Sequence, residues 1–413
     1  MKVELISIGD ELLIGQIINT NTAYLAKYLT ELGLEVKWIT TVGDQAKDLN
    51  SALSIASERS DIVITTGGLG PTHDDITKKV AAEFFESDFV FKPEILNRIK
   101  RAFEVRGLKM ATINEDQARV PEKAKIIKNP IGSAPGFLFE KDSKKCFILP
   151  GVPSEMKAMC EETVFPMLKG QGQTVLQKTI RTTGIPESSL FERIGDIKEI
   201  EEIVKVAFLP KTAGVDIRLT VKGRNALDCQ QKMEQGLAIF EKKIVKYIYG
   251  YDEEELEEVV AQLFFKKKKT VAVAESCTGG LLANKLTNIP GSSEYFERGV
   301  IVYSNQAKMD ILGIPATVLE KSGAVSSETA VAMAEGVKKI SGADFGISTT
   351  GIAGPTGGTK EKPVGLVYIG FAGEGGSYSK KYHFFNDRLT NKERTVQAAL
   401  NILRKELIKL TAN

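Results

Sequence analysis

The sequence predicts an α/β protein made of two three-layer α/β domains, each a sheet with helices over both faces, joined by a small α+β module. Three observations lead there. Short β-branched segments alternate with amphipathic ones at both ends of the chain. Glycine-rich loops follow several of the strand-like segments, where open α/β sheets hold their ligands. Past residue 170 the alternation changes to a compact β-α-β-β-α pattern before it returns. The boundaries read as 1–170, 171–251 and 252–413.

In the first domain VELISI at 3–8 reads as a strand, and Asn19–Leu32 as a helix closed by Gly33. Val36–Val42 is strand again, a helix runs to about Glu58, Asp61–Thr66 is a buried strand, and a helix starts near Asp75. Such alternation implies a parallel sheet. In the module KTIRTTGI, VKVAFLPK and GVDIRLTVKG are strands, while PESSLFERIG and Asn225–Ile244 are helices. From Thr270 the segments TVAVAES, GVIVYSN, DFGISTTGIAGP, GLVYIGFAG and KKYHFFN supply strands. Ser326 caps a helix over 327–340, and a terminal helix starts near Asn391.

Hydrophobic residues at 42% and charged residues at 26% exclude wholesale disorder and a fibrous architecture. Lys+Arg at 55 against Asp+Glu at 53 leaves a net charge of +2, so no global field favours nucleic acid or an anionic membrane. The opening MKVELISIGDELL lacks the apolar core of a signal peptide, and no apolar run approaches the ~20 residues of a membrane span. Cys146, Cys160, Cys229 and Cys277 form no CxxC pair, and the two histidines, His73 and His383, do not complete a zinc site. A reducing, cytoplasmic setting is expected.

The chemistry concentrates at strand ends. Ser276 lies in Glu275-Ser276-Cys277-Thr278-Gly279-Gly280, between a β-branched strand and a helix, where free N–H groups suit an oxyanion. A serine needs a base. His383 reads as a core or edge histidine, whereas Lys308 follows the next strand and emerges at the same sheet edge, with Tyr303 placed to orient its amine or relay a proton. A desolvated lysine can serve as the base. Cys277 is the rival nucleophile. Thr350 and Gly351 open a further glycine-rich loop, and Arg388 or Arg394 is suited to clamp a phosphate. These residues describe a site for an anionic small molecule, with amide or ester hydrolysis as the reaction.

In the first domain Gly67, Gly68, Gly70 and Thr72 form a phosphate cradle, and Asp10, Asp74 and Asp75 converge at one sheet edge, where they suit Mg²⁺ or a similar cation. Helix capping is the plainer reading for either of the last two aspartates alone.

The segments AESCTGGLLANKLTNIPGSS, RGVIVYSNQAK and TTGIAGPTGG resemble the C-terminal domain of the CinA (competence/damage-inducible protein) family. That resemblance implies a nicotinamide-nucleotide amidohydrolase that needs no cofactor and converts nicotinamide mononucleotide to the acid plus ammonia. The family's Ser–Lys pair and tyrosine map onto Ser276, Lys308 and Tyr303, its substrate threonine onto Thr350, and its phosphate-binding arginine onto Arg388 or Arg394. Thr278, Gly279 and Gly280 complete the implied substrate contacts. GDELLIGQIINTN, TTGGLGPTHDDIT, NPIGSAPG and LPGVPSEM resemble the family's molybdopterin-binding-like domain. This implies metal-dependent ADP-ribose pyrophosphatase activity, with Asn19 and the glycine loop at the nucleotide. A nucleotide- or pterin-binding regulator without turnover is the alternative. The middle module resembles the KH-type domain, but Gly184-Ile185-Pro186-Glu187-Ser188 lacks the second glycine of a GxxG clamp. A spacer or dimerisation role in a homodimer is expected, not nucleic-acid binding.

Overall fold

The computed structural model describes residues 1–410 apart from 71, 73, 74, 106, 108, 213, 224 and 386, with the side chains of 102 and 105 also outside the description. The chain divides into two compact units, Met1–Leu176 with Val221–Gln231, and Gln177–Thr220 with Lys232–Asn413. Among the described residues no helix is long and apolar enough to cross a membrane.

The first unit is built on β1 (Lys2–Ile8), β2 (Glu35–Val42) and β3 (Ile62–Thr66), followed by the short pair β4 (Phe89–Phe91) and β5 (Arg119–Pro121), then β6 (Lys125–Ile127), β7 (Gly136–Lys141) and β8 (Lys144–Leu149). Its sheet runs β2-β1-β3-β8-β7-β6. Alternation along each strand feeds two cores. Val3 and Leu5 of β1 face one, with Ile62 and Ile64 of β3, while Ile6 and Ile8 face the other with Val63. The expected parallel sheet holds from β2 to β8, but β7 and β6 are antiparallel additions. The β7–β8 hairpin turns through Asp142 (φ 52°) and Ser143 (φ 64°), both left-handed. Neither is the glycine that usually marks such a turn.

The module's sheet runs β10 (Lys205–Lys211), β11 (Gly214–Gly223), β9 (Thr174–Thr182), β12 (Ile248–Tyr251). The last strand, four residues after a long helix, is an addition to the expected β-α-β-β-α.

The C-terminal sheet runs β14 (Phe296–Ile301), β13 (Val271–Glu275), β15 (Phe345–Gly351), β16 (Leu366–Gly373), β17 (Gly376–His383). The first three are parallel and the last two antiparallel, so this sheet too is mixed. Val271 and Val273 pack with the helices Leu256–Lys267 and Arg388–Lys409, while Ala272 and Ala274 pack with Ser327–Ser341. Ser326 caps that last helix as expected, accepting from Thr329 N at 3.1 Å. The terminal helix starts at Arg388, ahead of Asn391, because Asp387 accepts from the N–H groups of Leu389 and Thr390.

Gly346 and Gly370 let the helix Ser327–Ser341 lie directly on the sheet. A Cβ on either would come closer than 3.0 Å to a helix carbonyl, that of Ala334 or Ala330 respectively. Gly370→Ala is therefore expected to lower stability by about 1–3 kcal/mol in urea denaturation. Gly375→Ala, where nothing lies within 4 Å of the added carbon, is expected to stay within about 0.5 kcal/mol of the parent.

Candidate functional site

β13 and β14 are adjacent and parallel, so the chain leaves both at the same sheet edge. Ser276 follows β13, anchored by its N–H to the Thr349 carbonyl at 2.9 Å. Val302 N closes the other side on the Glu275 carbonyl at 2.8 Å. Beyond β14, Ser304 caps the helix Asn305–Leu312 by accepting from Ala307 N at 3.0 Å. That cap fixes the helical phase, so that Lys308, in the first turn, folds back towards the strand ends.

The Lys308 amine is 3.3 Å from Ser276 Oγ and donates to the carbonyls of Val302 at 2.8 Å and Tyr303 at 3.0 Å. Lys308 is 1% exposed, and among the described residues it has no carboxylate partner. Burial pulls its pKa below that of an ordinary lysine. The rival nucleophile, Cys277, is buried in the hydrophobic core, and burial pushes its thiol up to about 12. At neutral pH it carries no thiolate.

Several expected contacts are made differently. Tyr303 meets the lysine through its backbone carbonyl. Its side chain is 62% exposed, with its hydroxyl 3.4 Å from the Arg388 guanidinium. Thr278 is fully buried and its hydroxyl pairs with Thr349 at 2.6 Å, so only its backbone is left to meet a substrate. The Thr350 hydroxyl is likewise buried and donates to the Ala324 carbonyl at 2.6 Å. Gly351 ends β15 at the same edge. Spacing does not separate Arg388 from Arg394, but geometry does. Arg388 donates to the Gly354 carbonyl at 2.8 Å beside Tyr303, whereas Arg394 donates to the Thr212 carbonyl of the module at 2.6 Å. Neighbouring Asn386 lies outside the described residues.

Two residues matter that the motif reading passed over. Lys392, on the same helix as Arg388, brings its amine over the turn, within 3.6 Å of where a Gly279 Cβ would stand. Glu275 ends β13 with its carboxylate buried and accepts from Gly280 N (2.9 Å), Leu282 N (3.1 Å) and Ala283 N (2.7 Å). It thereby occupies the start of the helix Leu281–Thr287, which is the position expected to be open to an anion. The left-handed pair Gly279 (φ 62°) and Gly280 (φ 94°) makes the turn that this requires.

In the first unit several of the expected ligand groups are engaged by the fold itself. Asn19 caps the helix Thr20–Glu31 through Thr22 N at 3.0 Å and donates to Ser7 Oγ at 2.8 Å, so both ends of its carboxamide are engaged by the fold. Cβ atoms on Gly67 and Gly68 would strike the Ile8 carbonyl and the Thr77 hydroxyl, so close packing already demands both glycines. Gly70 packs on the Asp75 carboxylate, which also accepts from Thr72 N at 2.9 Å and from the Thr72 hydroxyl. Asp10 and Asp44 bond each other's backbone N–H, at 3.0 and 3.3 Å. Asp74 lies outside the described residues. Among the described ones no group of three His, Cys, Asp or Glu side chains is placed to share a metal.

Glu275→Ala is expected to deprive three N–H groups, that of Leu282 buried, of their acceptor and lower stability by about 1–3 kcal/mol in chemical denaturation. Glu275→Gln, which keeps one acceptor oxygen, is expected to recover part of the loss.

Residues 253–407 match the family described as CinA C-terminal domain, 4–170 that described as "Probable molybdopterin binding domain", and 177–250 that described as Damage-inducible protein CinA KH domain. A protein of Caldicellulosiruptor bescii described as competence-damage inducible is 49% identical over 99% of this chain and 100% of its own length. A CinA-like protein of Dictyoglomus thermophilum is 43% identical over 99% of this chain and 100% of its own. A solved structure of a competence/damage inducible protein from Agrobacterium tumefaciens is 41% identical, covering 37% of this chain and 93% of that one, with a TM-score of 0.36. Identity sustained over the full length of the two relatives settles the family: the chain belongs to the CinA family, with a molybdopterin-binding-like N-terminal domain, a KH-type module and a CinA C-terminal domain.

Proposed function

We propose that the C-terminal domain hydrolyses the carboxamide of nicotinamide mononucleotide, giving nicotinic acid mononucleotide and ammonia. The observation that carries this reading is the buried Lys308 amine beside Ser276 Oγ. A neutral amine has two N–H bonds and one lone pair. The carbonyls of Val302 and Tyr303 take the two N–H bonds, which leaves the lone pair for the Ser276 proton. Lys308 then acts as general base while Oγ attacks the carboxamide carbon.

Gly280 N is engaged by Glu275, so the developing oxyanion falls to the N–H groups of Cys277, Thr278 and Gly279. One such donor is worth about 3 kcal/mol to the transition state. Protonated Lys308 returns its proton to the departing ammonia. Water, deprotonated by the same amine, then attacks the acyl carbon; the bond to Oγ breaks, Lys308 returns the proton to Ser276 Oγ, and the acid leaves. Arg388 and Lys392 supply positive charge for the substrate phosphate. For the N-terminal domain, ADP-ribose pyrophosphatase activity rests on the family resemblance. No catalytic constellation for it is assembled among the described residues.

Ammonia release from nicotinamide mononucleotide, without added metal, tests the assignment. Ser276→Ala and Lys308→Met are each expected to lose at least about 10³-fold in kcat. Activity retained by Ser276→Ala would remove the serine from the mechanism, and an inactive folded wild type would overturn the reading.

The same base sets the pH dependence. Protons compete for the lone pair, so kcat/KM is expected to fall tenfold per unit as pH drops below the Lys308 pKa and to level off above it. Since burial depresses that pKa, the limb is expected below the ~10.4 of an exposed lysine. A pH–rate profile reads it directly.

A further inference from the structure

Two cavities of the second compact unit lie where the KH-type module meets the C-terminal domain, and neither is lined by Ser276 or Lys308. Their charge differs. In the first, of about 680 Å³, Arg181 is matched by Glu255 at 2.8 Å and Asp216 at 3.3 Å, and Lys285 pairs with Glu257 at 2.6 Å. The second, of about 660 Å³, is lined by Lys211, Lys380, Arg394 and Lys405, and Glu187 is the one carboxylate residue in its described wall. Lys211 is neutralised by Asp216 at 2.8 Å. Lys380, Arg394 and Lys405 have no ion pair among the described residues.

Lys405 is half-buried, and its pKa is held down by burial and then by the nearby charges of Lys380, Arg404 and Lys409. Like charges gathered at a concave surface repel unless an anion joins them. One wall is aromatic, formed by Tyr382 and Phe384 with ring centroids 5.5 Å apart and an interplanar angle of 16°. The Gly184–Glu187 turn, the place where a KH domain would carry its RNA clamp, is also part of the lining. Here the turn is packed on the terminal helix. A Cβ on Gly184 would stand 2.6 Å from Asn401 Nδ2 and 3.9 Å from the Lys405 amine. The turn closes a small-molecule cavity instead of offering a nucleic-acid groove.

We propose that this cavity is a second ligand site, distinct from the Ser276 centre, for a phosphorylated metabolite of mononucleotide size. Its phosphate meets Lys380, Arg394 and Lys405, and its ring lies against Tyr382 and Phe384. The volume is within the ordinary range for such ligands. Arg394 is held for this role by its Nε bond to the Thr212 carbonyl, which leaves the outer nitrogens of the guanidinium directed elsewhere.

Limiting acetylation of the full-length protein, read lysine by lysine by peptide mass spectrometry, tests the site with AMP as the probe. AMP is expected to slow acetylation of Lys380 and Lys405 and to leave Lys409, paired with Glu406, unaffected. Adenosine, lacking the phosphate, is expected not to protect. Arg394→Ala is expected to raise the half-protecting AMP concentration about tenfold. Unchanged labelling of wild-type Lys380 and Lys405 at about 10 mM AMP would overturn the proposal. So would equal protection by adenosine, or an unchanged midpoint in the Arg394 variant.

Discussion

A lysine amine sealed from water with no carboxylate beside it costs free energy for as long as it keeps its proton. At Lys308 that constraint shapes everything around it. An acid within reach would stabilise the ammonium and remove the base. Glu275, the carboxylate adjacent in sequence to Ser276, is turned away and tied to three backbone N–H groups of the following helix. The polar groups that do meet the amine are neutral carbonyls, which accept N–H bonds without supplying a counter-charge. Parallel pairing of β13 with β14 and the Ser304 cap are what bring the amine there. The meeting of Ser276 with Lys308 is a consequence of sheet topology and one helix phase.

Much of this was legible because each residue sits directly after a strand. A crossover between parallel neighbours puts both strand ends at one edge, so the meeting of Ser276 and Lys308 follows from connectivity. The direction of a short polar side chain at a strand end does not. Thr278, Thr350 and Asn19 satisfy the fold's own backbone or hydroxyl groups, and a cap and a ligand contact look alike in one dimension. Glu275 carried a readable signal. It shares strand parity with Val271 and Val273, which face the buried helices. A carboxylate pointing there must find donors, and the N-terminus of the next helix supplies them.

The glycine loops show the opposite failure. Gly67 and Gly68 read as a phosphate cradle, yet both are required by close approach to β1 and to Thr77, whatever binds nearby. The antiparallel strands escaped for a chemical reason as well. The Asp142–Ser143 turn adopts the left-handed geometry of a tight hairpin without glycine, so nothing in its composition announced that β7 and β8 pair side by side.

The terminal helix is where the separate readings meet. At about 100° per residue, Arg388 and Lys392 share one stripe, beside Tyr303 and the 277–280 turn. Arg394, Asn401 and Lys405 share a second, towards the module. Val396, Ala399, Leu400, Leu403 and Leu407 continue the side of the first stripe along the helix and pack in the core. Arg404, itself buried, donates to the carbonyls of Ile248 and Lys246 at 2.7 and 3.3 Å. The helix is thus held on its core side and on the side of the module. Arg388 and Arg394, six residues apart on it, lie nearly two turns apart. The helix that brings Arg388 and Lys392 to the Ser276 edge thus also carries a contact with the module, through the Arg394 bond to the Thr212 carbonyl.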